Sequence, residues 1–185
     1  MNILFLDIET VGLDPSINSI IEISGKFYSN GAIQSEFHSK GFSPNTKVNL
    51  GALVVNKQKI KTLLLAGKDK QEQQMLCEFV DYALDLPRDT VICGHNVNFD
   101  INFIKTRFDI NSIDGFNNLF SYKVLDTATI GLFLQSVGII KTDKVSLSRL
   151  AEVLKIPFNK DDLHGAKFDT ELTAKVFYAM SSLLK

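Results

Sequence analysis

Tryptophan is absent from this 185-residue chain, and proline (4) and cysteine (2) are scarce. The two cysteines, Cys77 and Cys93, supply neither a disulfide framework nor a zinc site. Both stand in apolar surroundings, Met75-Leu76-Cys77 and Val91-Ile92-Cys93, so buried, reduced thiols are expected. No apolar run approaches the ~20 residues of a membrane-crossing helix. Ile3–Leu6, ended by Asp7 and Glu9, is too short for a secretion signal. A soluble, cytoplasmic protein with no membrane partner is the expectation. Charge of one sign is also lacking: 20 Lys and Arg stand against 21 Asp and Glu, a formal net charge of −1. A protein that coats duplex nucleic acid is usually strongly basic, so that class is disfavoured. Phosphate substrates stay compatible if bound cations neutralise a cluster of acids. There is no internal repeat, low-complexity tract or linker.

What is present reads as globular. Apolar residues make up 45% and charged residues 22%, which excludes a disordered or collagen-like chain. The length fits one domain, 1–185, able to bury a sizeable core. Asn2–Glu9 is apolar on both faces through Ile3-Leu4-Phe5-Leu6, as in a central strand covered on both sides. Gly12, Asp14 and Pro15 mark a turn. Ser19–Tyr28 and Ala32–Ser39 read as two strands joined by the hairpin turn Ser29-Asn30-Gly31. After Leu50, helices and short strands alternate. Helices are expected at Gln71–Leu84, about Phe99–Phe108, up to about Val137, Ser146–Leu154 and Asp169–Leu183, with strands at Val91–Cys93 and Lys123–Leu125. An antiparallel three-strand meander followed by β-α units predicts an α/β fold with a mixed sheet flanked by helices. Ligands of such sheets collect at the carboxyl ends of the strands.

Acids stand at those ends. Asp7 and Glu9 share a face, roughly 6.6 Å apart along the first strand at ~3.3 Å per residue, and could share a metal or serve two. Taken alone, the common Asp-x-Glu pair reads rather as capping the next turn or pairing with a basic residue. Asp100 follows Val91–Cys93 at a strand-to-helix junction, where a helix N-cap is the plain alternative. Asp126 ends Lys123–Leu125 in the same way and is read as a cap or supporting residue. Asp169 opens the last helix, five residues after His164, whose ordinary pKa of about 6.5 suits a general base. Four acids at one rim would resist joint ionisation without cations. An oxygen-rich set suits Mg²⁺ or Mn²⁺ rather than zinc.

Together these residues resemble the DEDD (DnaQ-like) superfamily of 3′–5′ exonucleases, in its histidine-bearing branch. Phe5-Leu6-Asp7-Ile8-Glu9-Thr10-Val11-Gly12-Leu13-Asp14-Pro15 is similar to D-x-E-T-x-G-L-D-P, and Gly94-His95-Asn96-Val97-Asn98-Phe99-Asp100 to H-N-x-x-F-D. His164-x-Ala166-x-x-Asp169 matches H-x-A-x-x-D; the sister branch has Tyr where Gly165 stands. Leu125-Asp126-Thr127 and Leu147–Leu154 with Ile156-Pro157 agree more weakly. The motifs run in family order from residue 3 to about 177. Val11, Thr170 and the glycine-free Asn56-Lys57 depart from the pattern without touching a ligand or base position. The chain ends soon after its last helix, without the long tail of some polymerase-binding proofreading subunits.

The resemblance implies a ribonuclease H-like fold and two Mg²⁺ or Mn²⁺ ions bridged by Asp7. Glu9 and Asp169 would complete one metal site, Asp100 would support the other, and His164 would take a proton from the attacking water. Thr10 resembles the family's contact with the terminal 3′ nucleotide. Phe99 and the Val55-Asn56 region are candidates to stack on terminal bases, with a core role for Phe99 weighed equally. Lys57, Lys59 and Lys61 would track phosphates or form a solvated face. The expected activity is release of nucleoside 5′-monophosphates from single-stranded DNA 3′ ends, of proofreading or repair type. RNA trimming is the alternative, a catalytically silent nucleic-acid-binding module a more distant one, and a DNA polymerase partner is left open. A haloacid-dehalogenase-type phosphatase lacks its second Asp and its G-D-x-x-x-D, and Gly12 has no dinucleotide-binding glycines around it.

Overall fold

The computed structural model describes residues 1–43, 46–48 and 70–184. Among them five strands form one sheet in the order β3-β2-β1-β4-β5. They are β1 (Asn2–Thr10), β2 (Ile20–Ser29), β3 (Ala32–Lys40), β4 (Val91–Gly94) and β5 (Val124–Asp126). β1-β2 and β2-β3 are antiparallel, β1-β4 and β4-β5 parallel. The expected meander with added parallel strands is the one observed. At the β2–β3 hairpin Asn30 and Gly31 take φ of 52° and 81°. Two successive positive φ values make the turn whose twist matches the flanking strands.

The helices are α1 (Glu72–Leu84), α2 (Val97–Ile110), α3 (Phe116–Leu119), α4 (Thr127–Ser136), α5 (Leu147–Val153) and α6 (Ala166–Ser182). The brief α3 has no counterpart in the sequence reading; four residues are too few to show a period. None of the described helices is long and apolar enough to cross a membrane. β1 alternates between two cores, because successive side chains of a strand point to opposite faces. Leu4, Leu6 and Ile8 enter the cluster of Met75, Leu76 and Phe79 from α1 and Phe103 and Ile104 from α2. Ile3 and Phe5 face α6, where Phe5 meets Phe177 edge-on with ring centroids 5.5 Å apart.

Cys93 is buried as expected, and burial pushes its thiol pKa up. Cys77 corrects the reading: it is exposed. Apolar neighbours in sequence do not share a helical face, and Cys77 lies off the stripe of Met75, Leu76 and Phe79 that α1 buries.

Among the described residues, one ion pair is buried on both sides. The Glu72 carboxylate, 1% exposed, accepts from Arg107 Nε (2.9 Å) and Nη2 and from the Ile20 main-chain N–H (2.8 Å). It ties the start of α1 to the last turn of α2 and to the entry of β2. Removing one partner of such a pair strands the other charge away from water, a loss of about 3–5 kcal/mol. Arg107→Ala is therefore expected to lower unfolding stability by about 3–5 kcal/mol in urea titrations followed by circular dichroism. A loss under about 1 kcal/mol would show the pair to be dispensable.

Candidate active site

The register that sends Ile3 and Phe5 onto α6 carries Asp7 and Glu9 to the same face, nearer the carboxyl end of β1. α6 runs back along this face, so its first turn meets that end. Its position is set in part by Thr170, which is fully buried and shares its single hydroxyl proton between Ala166 O at 2.6 Å and Ser24 O of β2 at 3.3 Å. Asp169 therefore faces Asp7 and Glu9, and one carboxylate oxygen from each of the three lies within 4.8 Å of the others. Asp169 does not open α6. The helix starts at Ala166 with Gly165 as N-cap, and Asp169 N–H bonds Gly165 O at 2.8 Å.

Asp100 arrives from the other side of β1. β1 and β4 pair over Ile3–Phe5 only, and β4 ends at Gly94. Beyond that ladder the Ile8 N–H donates to Asp100 Oδ1 at 3.1 Å. Asp100 is not an N-cap, against one alternative weighed above. Asn96, at φ 62° and ψ 41°, caps α2, and Asp100 sits within the first turn. The elbow between is tight: a Cβ on Gly94 would lie 2.8 Å from Val97 Cγ2 and 3.1 Å from Leu6 O. It is also gripped from β5. Asp126 Oδ1 accepts from Asn96 N at 2.8 Å and from Ala128 N at 3.0 Å, so the carboxylate expected to cap α4 also fixes the strained Asn96 peptide. Thr127 Oγ1 donates to Gly94 O at 3.1 Å, which leaves it to accept from His95 Nδ1 at 2.9 Å. Burial holds the His95 pKa down, against the pull of Asp126.

Crowding these acids has an electrostatic consequence. Asp7 is raised well above the usual carboxylate range, first by lost hydration and then by Asp100, Asp169, Glu9 and Glu22. Asp100 is pushed up to about 8, chiefly by burial, although its hydrogen bond from Ile8 N–H pulls the other way. Glu22 escaped the sequence reading. It lies opposite Glu9 in the β1-β2 register, is buried, and bonds His38 Nε2 at 2.8 Å with Lys40 Nζ at 3.7 Å. The available signal was a lone acid inside the apolar run Ile20-Ile21-Glu22-Ile23. An all-oxygen, partly buried, mutually repelling donor set of this kind fits a hard divalent cation.

The remaining candidates separate. His164 lies on the loop entering α6 at φ 64°, exposed, with its main-chain N–H on Asp169 Oδ2 at 3.1 Å. Thr10 is buried, its hydroxyl donating to Gly12 O at 2.6 Å. Phe99 packs on Phe103 at 5.0 Å between ring centroids and keeps part of its surface exposed. Val55, Asn56, Lys57, Lys59 and Lys61 lie outside the described residues.

A sheet of this order with acids gathered at the carboxyl end of its central strand is the architecture of ribonuclease H-like nucleases. The exonuclease family model of RNase T type matches residues 4–177, and the chain belongs to that family, in the DEDD superfamily. A PolC-type DNA polymerase III from Mycoplasma genitalium is 30% identical over 183 residues, 98% of this chain and 12% of that protein. Ribonuclease T from Blochmanniella pennsylvanica is 27% identical over 93% of this chain and 80% of its own length. Among solved structures, a zinc-bound E. coli exonuclease I–single-stranded DNA complex superposes with a TM-score of 0.78 at 17% identity, covering 98% of this chain and 40% of that one. The chain thus spans about an eighth of the PolC-type relatives it matches.

The raised carboxylates set a stability slope. Asp100 has a folded pKa of about 8, against about 3.9 in an unfolded chain. Between those values the folded state binds more protons, so stability falls as pH rises through the window. In chelator, the melting temperature is expected to drop from pH 5.5 to 8.5. Asp100→Asn keeps an oxygen for Ile8 N–H and should flatten the drop and raise the melting temperature at pH 8.5. Parallel curves for the two proteins would contradict this assignment.

Proposed function

We propose that the chain is a divalent-metal-dependent 3′–5′ exonuclease that removes nucleoside 5′-monophosphates from single-stranded DNA ends. The observation that carries this reading is the convergence of Asp7, Glu9 and Asp169 within 4.8 Å, with Asp100 the strongest neighbouring charge on Asp7. Asp7, Glu9 and Asp169 would hold one Mg²⁺ or Mn²⁺ ion, and Asp7 with Asp100 would support a second. Such ions, when bound, lower the pKa of a coordinated water and neutralise charge on the scissile phosphate and its leaving oxygen. The protein's own part is positional. Asp100 is locked to the β1 backbone, and Asp169 is tied to the His164 main chain. His164 is the proton acceptor for the attacking water, its exposed imidazole on the segment that enters α6. Thr10 shapes the turn that receives the terminal nucleotide, and the exposed part of Phe99 lies beside its base.

The single-stranded DNA named in the exonuclease I complex and the PolC-type relatives support DNA as substrate and make a polymerase the partner to test. The ribonuclease T relative, matched over 80% of its length, favours RNA 3′ ends as the second reading.

The test is a digestion panel of 5′-labelled DNA and RNA, single-stranded and mismatched duplex, with Mg²⁺, Mn²⁺ or chelator. A metal-dependent ladder shortening single-stranded DNA from its 3′ end is expected. Asp7→Ala and Asp169→Ala should abolish it, and His164→Ala should cost about 10²–10⁴-fold, the range for a general base. A ladder on RNA alone moves the assignment to RNA. No ladder on any strand overturns the exonuclease reading in favour of a binding module.

A further inference from the structure

A groove of about 310 Å³ runs between α2, α3 and β5, on the other side of α2 from Asp100. Its floor is apolar, formed by Ile92, Ile101 and Phe120. Its rim joins rings to cations. Lys105 Nζ stands 5.3 Å from the centroid of Phe116, and Lys123, which adjoins the lining residue Tyr122 rather than lining the groove itself, has its Nζ 5.8 Å from that ring. Tyr122 is 91% exposed, so its ring does almost nothing for the core. No carboxylate is among the described residues that line the groove. That matters in a chain of net charge −1 whose candidate active site is crowded with acids. Asn98 and Asn117 add amide donors and acceptors to the wall.

We propose that this groove is a second contact for the substrate strand, seating bases on Tyr122 and Phe116 and phosphates at Lys105 and Lys123, upstream of the 3′ end held at the acidic cluster. Exposed rings beside cations are the usual means of holding single strands without reading sequence; Tyr122 is the open ring here, and Phe116 is half-buried beneath Lys105. Asn98, Ile101 and Lys105 recur at three- and four-residue spacing and line one side of α2. Asp100 occupies another side of the same first turn. A strand that crosses the amino end of α2 and follows the helix toward Lys105 would reach both. The inference rests on the exonuclease reading for its direction, but the binding it describes is measurable without turnover.

The test uses fluorescence anisotropy of 5′-labelled dT12 in chelator, with the wild-type chain and a Lys105→Ala, Tyr122→Ala, Lys123→Ala triple variant. All three side chains are exposed, so the fold should be retained, with thermal unfolding as the check. The affinity for dT12 is expected to fall by about tenfold or more as a stacked base is lost. The salt dependence should also weaken, by about 0.7 in log–log slope for each cation removed. Turnover of dT3 with Mn²⁺, too short to reach the groove, should be unchanged. Unaltered dT12 binding overturns the proposal and leaves the exposed rings to a protein contact. Loss of dT3 turnover together with dT12 binding also overturns it, because the groove would then belong to the catalytic site. A wild-type chain that binds dT12 through these residues yet gives no ladder would sink only the exonuclease reading.

Discussion

Like charges brought together away from water are the constraint around which the rest of this structure is arranged. Asp7, Glu9 and Asp169 lie within 4.8 Å of one another, with Asp100 and Glu22 close enough to raise Asp7 further. Nothing in that arrangement is stable by itself. It is held because each acid is delivered by an element whose position is set elsewhere. β1 is anchored by two cores, α6 by the Phe5–Phe177 contact and the buried Thr170 hydroxyl, and α2 by the grip of Asp126 and Thr127 on its elbow. Packing at a distance offsets repulsion at the site, a common division between scaffold and function.

The two faces of β1 divide this work. The face toward α1 and α2 is apolar along Leu4, Leu6 and Ile8, whereas the face toward α6 is apolar at Ile3 and Phe5 and acidic at Asp7 and Glu9. A slip of one residue would bury both carboxylates under α1 and α2 and expose the leucines to α6. The β1-β2 ladder resists that slip, and its entry is secured by Glu72, which accepts the Ile20 N–H while paired with Arg107. The buried ion pair and the acid cluster are thus linked through strand register, although they share no contact.

Much of this was legible in the residues. The strand order of a meander followed by parallel additions followed from hairpin signals and alternating β-α units, and the family motifs named the acids in order. Local chemistry carried that information: periodicity, turn residues and short-range spacing are written within a few residues of each other. Other features were not legible. Asp100 read as a metal-supporting acid or a helix cap, and nothing near it in sequence showed that it would accept from a backbone N–H of β1, 92 residues away. Cys77 looked buried from its neighbours and lies on the outer side of α1. Glu72 gave no sign of its partner Arg107, because nothing local distinguishes a glutamate that will be buried from one that will be solvated.

Which residues belong to helix or strand, and which acids stand at strand ends, is decided by short-range sterics and side-chain type, so the bare chain already states it. Which of those acids meet, how far water is excluded from them, and that Glu22 stands in support depends on chain segments separated by as many as 162 residues, Asp7 to Asp169. Those relations exist only once the cores close, since dehydration and like-charge repulsion are properties of distance in space rather than of order along the chain.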